Sequence, residues 1–414
     1  MKKLGIYVQV PFCQTKCTYC NFHTGVVAKE RFAPYVEAVC REIRGHRELL
    51  RAAGVEWGSG PSASLGTSEW PLPDQGNRVA SGERKESEYL VGTVYFGGGT
   101  PSLLEPRQLQ ENLAAIRETF RTEFREVTLE ADPETVGTEK AAAWVSVGIS
   151  RVSFGVQSFS DKELAAAGRM HRRNDVYRAV PILRAAGIEN ISFDLIAGLP
   201  HQTKESWKQS LAELIRLAPE HVSVYLLEVD EGSRLGTELL QGGRRYSAGA
   251  VPSEDEMAEF YEMAQEALGE TGYRHYEISN WAKPGFESKH NLKYWRRQPY
   301  LGFGAGAHSF SGRQRWANAH DAAEYVSAIE RGSVPVEQLE TVTAEMALEE
   351  ELFLGLRQLD GIDMGRIEQE YGVTLGERFA PLAEAGLVEQ HGSVVRLAEE
   401  RLSVSNEVFV ELMK

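Results

Sequence analysis

Along the first 230 or so residues, short apolar runs alternate with stretches of helical period. Leu4–Val10 reads as a strand, and Arg31–Ala53 follows as an amphipathic helix. Further strand-like runs lie at Leu90–Phe96, Glu126–Glu130, Arg151–Val156, Asn190–Leu195 and His221–Leu227. Between them Glu105–Phe120, Lys140–Val147, Asp175–Ala186 and Lys204–Leu217 carry the 3.6-residue period. Strands separated by helices imply parallel βαβ units and an α/β class. The strands are almost continuously apolar, as in a sheet packed on both faces. An open or partial α/β barrel and a doubly wound sheet both fit this pattern.

One stretch breaks the rhythm. From Gly54 to Glu88, Gly, Ser and Pro supply 15 of 35 residues without a period, so residues 54–88 read as a disordered surface insertion. Its Trp57 and Trp70 leave a docking loop as the alternative. Beyond residue 230, Val251–Gly272 is an amphipathic helix and Tyr273–Phe310 an aromatic region with glycine-rich turns. The organisation expected is thus 1–230 for the α/β unit, 231–335 for an α+β extension and 336–414 for a small helical domain. Ala385–Val388 and His391–Leu397 resemble the hairpin of a winged helix.

Charge narrows what that last module does. Residues 340–414 hold 6 Lys/Arg against 16 Asp/Glu, and the whole chain of 414 residues carries −15. A phosphate backbone would be repelled, so nucleic acid is excluded as a partner and the tail reads as structural or protein-docking. No apolar stretch approaches the ~20 residues of a membrane span, and a cytoplasmic location is expected.

Four cysteines exclude a disulfide scaffold in a chain this long. Cys13, Cys17 and Cys20 form C-x3-C-x2-C just after the first strand, while Cys40 reads as a buried small hydrophobe. Three thiolates on one loop suit three corners of a cubane iron–sulfur cluster, leaving the fourth iron open. Structural zinc, with His23 as fourth ligand, is the competing reading. Phe96-Gly97-Gly98-Gly99-Thr100-Pro101 follows the second strand; it is not a G-x-G-x-x-G phosphate turn, because Ser102 stands at its last position. Glu130, Gln157 and Asp194 fall at the ends of the third, fourth and fifth strands, and Arg169 lies just after Gln157. Arg169 offers a planar fork for a carboxylate.

These motifs resemble the radical S-adenosylmethionine superfamily, and most closely its branch of oxygen-independent coproporphyrinogen III dehydrogenases and HemW haem chaperones. The resemblance implies a partial (β/α)6 barrel with a C-terminal α+β extension and a small winged-helix-like domain. It implies a 4Fe-4S cluster on Cys13, Cys17 and Cys20. It also implies S-adenosylmethionine against Tyr7, Gly98, Gly99, Thr100, Glu130, Gln157, Arg169 and Asp194. Phe22 stands where the dehydrogenases carry a further cysteine, and their N-terminal lid has no counterpart before Leu4. His290-Asn291-Leu292-Lys293-Tyr294-Trp295 matches the H-N-x-x-Y-W motif of the chaperones, with an imidazole beside flat aromatic faces. The resemblance therefore favours a protein that binds haem and hands it to haem-requiring apoproteins, over porphyrinogen oxidation. His290, Asn291, Tyr294 and Trp295 would form the haem motif, with His308 as a second ligand and Lys293, Arg296 and Arg297 facing the propionates. An electron donor for the cluster and a homodimer complete the expected partners.

Overall fold

The computed structural model describes residues 2–57 and 86–412. Six parallel strands form its centre: β1 (Lys2–Val10), β2 (Glu86–Gly98), β3 (Phe120–Ala131), β4 (Arg151–Gln157), β5 (Asn190–Ala197) and β6 (His221–Leu226). Helices cross between them, as the alternating pattern requires. This is the partial (β/α)6 barrel, and it settles the choice left open between barrel and doubly wound sheet. β2 and β3 run further than their apolar runs. In β3 the residues from Arg121 to Arg125 alternate exposed and half-buried positions and Glu126–Leu129 are continuously buried, so its N-terminal half leaves one face in water. Gly148 and Gly187 end two of the helices in the left-handed conformation, at φ of 106° and 100°. Trp144 and Trp207 are fully buried under the helical layer, and the Trp207 indole donates to the Phe260 carbonyl at 2.7 Å. Truncating such a side chain costs about 3–5 kcal/mol.

The extension adds β7 (Arg274–Glu277), β8 (Asn280–Ala282), β9 (Tyr300–Phe303), β10 (His308–Phe310), β11 (Gln314–Asn318) and β12 (Val336–Thr341). None of these makes a sheet of its own. β8 and β7 continue the barrel sheet beyond β6, and β9 to β12 continue it beyond β1, giving twelve strands in one sheet. β12, which holds residue 336, pairs with β11 and so belongs to the large sheet. In the tail, β13 (Ile362–Asp363), β14 (Val388–His391) and β15 (Val394–Leu397) form a small antiparallel sheet against short helices, with Gly392 turning the expected hairpin at φ 64°.

Most of the segment expected to be a disordered insertion, residues 58–85 with Trp70, lies outside the described residues. Its two ends are corrected. Trp57 stacks on Tyr89 at 4.9 Å and meets Trp316 edge-on at 6.1 Å, while β2 begins at Glu86. No helix among the described residues is long and apolar enough to cross a membrane.

Candidate functional site

The C-terminal ends of the barrel strands open into a cavity of about 630 Å3. This size fits one or two small ligands. Cys13, Cys17 and Cys20 line it, on the loop that leaves β1 and is tied back by Gly25 donating to the Pro11 carbonyl at 2.9 Å. Burial raises the Cys13 and Cys20 thiols, so bound metal would have to supply the charge that holds them as thiolates. Among the described residues no three His, Cys, Asp or Glu side chains converge on a single ion. Three thiols spread along one loop suit a cubane, which offers each its own iron, better than closed zinc. His23 is outside the cavity wall, its ring 4.2 Å from that of His320.

Gly98, Gly99 and Thr100 pass beside the thiols. The glycines are required sterically: a Cβ on Gly99 would stand 2.5 Å from the Phe12 carbonyl oxygen and 3.0 Å from the Cys13 sulfur. Gly98, at φ 110°, would meet the Gln9 amide. Glu130 is fixed from two sides, accepting from the Tyr95 hydroxyl at 2.8 Å and the Gly98 N–H at 3.0 Å. Burial pushes its carboxyl up to about 7 against those hydrogen bonds. Gln157 holds the left-handed region at φ 63°, and its buried side-chain oxygen has no partner among the described residues. Strain and an orphaned acceptor on a cavity wall are what a bound cofactor would explain. Asp194 is raised by burial and faces the Ser153 hydroxyl at 3.4 Å. The residues present thus fit S-adenosylmethionine, with acceptors for its amino and ribose hydroxyl groups.

Two of the expected residues have protein partners of their own. Arg169 lines the cavity with its fork engaged: it pairs with Asp132, donates to the Gly155 carbonyl at 2.9 Å and lies 3.6 Å from the Cys17 sulfur. Tyr7 is not on the cavity wall. Its hydroxyl donates to Gln9 at 2.8 Å and its ring stacks on Tyr95, one layer beneath the glycine turn. Side chains that the motif reading missed include Tyr95, Asp132 and buried Arg151, whose charge opposes the raising of Glu130 and Asp194. Asp132 sits two residues beyond Glu130 at the same strand exit, and that spacing was the available signal.

The His290 motif lies elsewhere, on the inner side of the sheet. His290 is buried, and both ring nitrogens are in use, Nδ1 with the Thr93 hydroxyl at 2.9 Å and Nε2 with the Tyr294 hydroxyl at 2.8 Å. Burial pushes its imidazole down to about 3, so it stays neutral. The Lys289 and His290 N–H groups both donate to Glu126 at 3.0 Å, and the Asn291 N–H donates to the Ser288 hydroxyl at 3.3 Å. The basic patch expected beside it does not form. Arg297 is taken up by Glu350 at 3.0 Å, Arg296 bonds Gln358, and Lys293 is buried, its ammonium lowered to about 8 by desolvation. His308 is exposed at the start of β10, and its imidazole is lowered by partial desolvation and by the neighbouring His320, Arg315 and His23.

Comparison with known proteins adds to this geometry. Residues 7–214 match the radical SAM superfamily and residues 342–400 the HemN C-terminal domain. The chain is 34% identical to the protein named heme chaperone HemW of Bacillus subtilis (strain 168), over 97% of each chain. It is 30% identical to the mitochondrial radical S-adenosyl methionine domain-containing protein 1 of Bos taurus, over 100% of this chain and 88% of that one. Among solved structures, coproporphyrinogen III oxidase (HemN) from Escherichia coli, described as a radical SAM enzyme, superposes with a TM-score of 0.78 at 21% identity. That match covers 99% of this chain and 90% of that one, and it shows a shared fold.

Proposed function

The chain belongs to the radical SAM superfamily, in its heme chaperone HemW family, and from that premise we propose that it binds haem and delivers it to haem-requiring apoproteins. One observation carries the reading. Identity to proteins named heme chaperone runs through both the cysteine-bearing barrel and the extension with His290–Trp295, over 97% of the chain.

Cys13, Cys17 and Cys20 would hold the 4Fe-4S cluster, and the cradle of Gly98–Thr100, Glu130, Gln157 and Asp194 would hold S-adenosylmethionine against it. When bound, the reduced cluster supplies the electron that cleaves the sulfonium in this superfamily. The chain's own part is to orient: Glu130 takes the amino end while Tyr95 and Gly98 hold it in place. Arg169, engaged by Asp132, balances charge beside the thiolates. In this reading the cluster and cofactor regulate haem loading or release. An electron donor and haem-requiring apoproteins are the partners it needs, and a cytoplasmic setting suits them.

The test is haem titration of the anaerobically reconstituted protein, with coproporphyrinogen turnover measured in parallel. Saturable, stoichiometric haem binding without porphyrinogen decarboxylation is expected. Anaerobic turnover of porphyrinogen with reductant and S-adenosylmethionine would overturn the proposal in favour of a dehydrogenase. Phe22, 64% exposed where those enzymes have a cysteine, argues against that result.

A further inference from the structure

The cavity extends well past the groups assigned to S-adenosylmethionine. Its far wall is made by Tyr225 and Leu227 from the end of β6, Ile278 from the β7–β8 turn, and Leu402 and Asn406 from the tail. Tyr225, Leu227, Ile278 and Leu402 give this wall its apolar part, beside Ser279, Ser403, Asn406 and the carboxylates Glu228 and Asp230, and Tyr225 leaves 42% of its surface exposed. One cation stands in it, Arg357, placed just past the C-terminal end of the helix Ala344–Leu356. The tail is pinned there by backbone: the Ile278 N–H donates to the Arg357 carbonyl at 3.0 Å, and Leu359 donates to Tyr276 at 3.2 Å.

Arg357 is under-used. Its carboxylate partner among the described residues, Glu277, is reached through Oε2 at 3.4 Å, long for a charge-assisted pair, while Oε1 of Glu277 accepts from Ser279 and Asn280. The Arg357 Nε is buried without an acceptor. Its guanidinium carbon lies 4.6 Å from the ring of Trp295, whose indole N–H is also buried without an acceptor. Among the described residues both donors lack an acceptor, one of them on a charged group, and such groups are costly to leave unpaired. Trp295 ends the short helix Asn291–Trp295, and His290 steadies that helix through Tyr294 and Thr93.

We propose that the β6 side of the cavity receives the carboxylate arm of a planar apolar ligand, anchored by Arg357 beside Trp295, with His290 acting as a positioning residue for Trp295. Resting on the reading above, that ligand is haem and the arm is a propionate. The H-N-x-x-Y-W motif then contributes through its last residue, which touches the cavity cation, and the ring lies along Tyr225 and Ile278. No bond is made or broken in this step. It pairs a carboxylate with a guanidinium in a half-buried site.

The test uses the full chain, reconstituted anaerobically and titrated with haem and with haem dimethyl ester, whose propionates are blocked. The ester is expected to bind wild type about tenfold more weakly, the size of one charge-assisted hydrogen bond. Arg357→Gln should weaken haem by a similar factor and abolish the preference for the free acid. His290→Gln should weaken haem while leaving the Soret position and the low-temperature spin-state signature of the bound iron as in wild type. Equal affinity of wild type for haem and its ester overturns the inference without any variant having to fold. So does an Arg357→Gln protein that keeps the preference, or a His290→Gln protein whose iron signature changes to that of a lost imidazole. Haem binding that survives any of these leaves the chaperone reading standing, whereas a wild type that binds neither compound sinks both.

Discussion

Glu42 gives the most direct test of the energetics, because one buried carboxyl joins the first long helix to the extension. It lies in the helix Phe32–Ala52 and is 6% exposed. It accepts from the Gly304 N–H at 2.9 Å, the Asn318 amide at 2.7 Å and the Tyr325 hydroxyl at 2.5 Å. Desolvation outweighs these donors and pushes its carboxyl up from 4.5 to about 7. The folded state therefore keeps a proton that the unfolded chain has already lost. The stabilisation is fully present below pH 4.5 and fades as pH rises to about 7. At ~1.36 kcal/mol per unit, a rise of about 2.5 units corresponds to roughly 3 kcal/mol, of which about 2 kcal/mol falls between about pH 5.5 and 8. In Glu42→Gln that titration is gone, but the amide N–H2 faces a donor and costs about 1–3 kcal/mol. Urea unfolding of the two proteins across this range should show wild type ahead at the acidic end. The gap should narrow by about 2 kcal/mol, or reverse, toward the alkaline end. A gap that stays constant, or widens as pH rises, would refute the argument that burial rather than hydrogen bonding sets this carboxyl.

Tyr95→Phe removes the hydroxyl that holds Glu130 at 2.8 Å, and S-adenosylmethionine affinity by calorimetry should fall about tenfold with the fold intact. Unchanged affinity would free Glu130 of any cofactor role. Gly99→Ala puts a methyl 2.5 Å from the Phe12 carbonyl, so the cluster loop must shift. Iron content and cofactor binding should both drop, with about 1–3 kcal/mol lost from stability. Cys13→Ala should lose acid-labile sulfide and the iron that goes with it, and zinc recovered in place of iron from wild type would reinstate the mononuclear reading.

The barrel and its mouth were legible because their signals are local. Glu130 and Gln157 stand at strand exits and Asp194 three residues before the end of β5, all on one cavity wall, and C-x3-C-x2-C is a spacing that a single loop explains. The extension was harder, since whether β9 pairs with β1 or forms another sheet depends on long-range register that a four-residue strand does not encode. His290 shows the limit of motif chemistry. An imidazole among aromatics reads as a metal ligand, yet Thr93, nearly two hundred residues earlier, is one of its hydrogen-bond partners. Lys293, Arg296 and Arg297 looked like a patch because sequence counts charges without their partners, and Glu350 lies on a helix of the tail. Arg357 escaped notice for the same reason, as one base in a strongly acidic segment.

The wall supplied by Leu402 and Asn406 also sets an order of assembly. A chain is synthesised from its N-terminus and its units fold as they emerge. The three thiols and all six barrel strands therefore exist before the segment that encloses the cavity. Until the tail docks against β7, the iron and sulfide of a cluster held by Cys13, Cys17 and Cys20 would have an open approach; afterwards they would have to pass the mouth. Cluster delivery during synthesis and cluster repair in the finished protein are, on this architecture, two different accessibility problems.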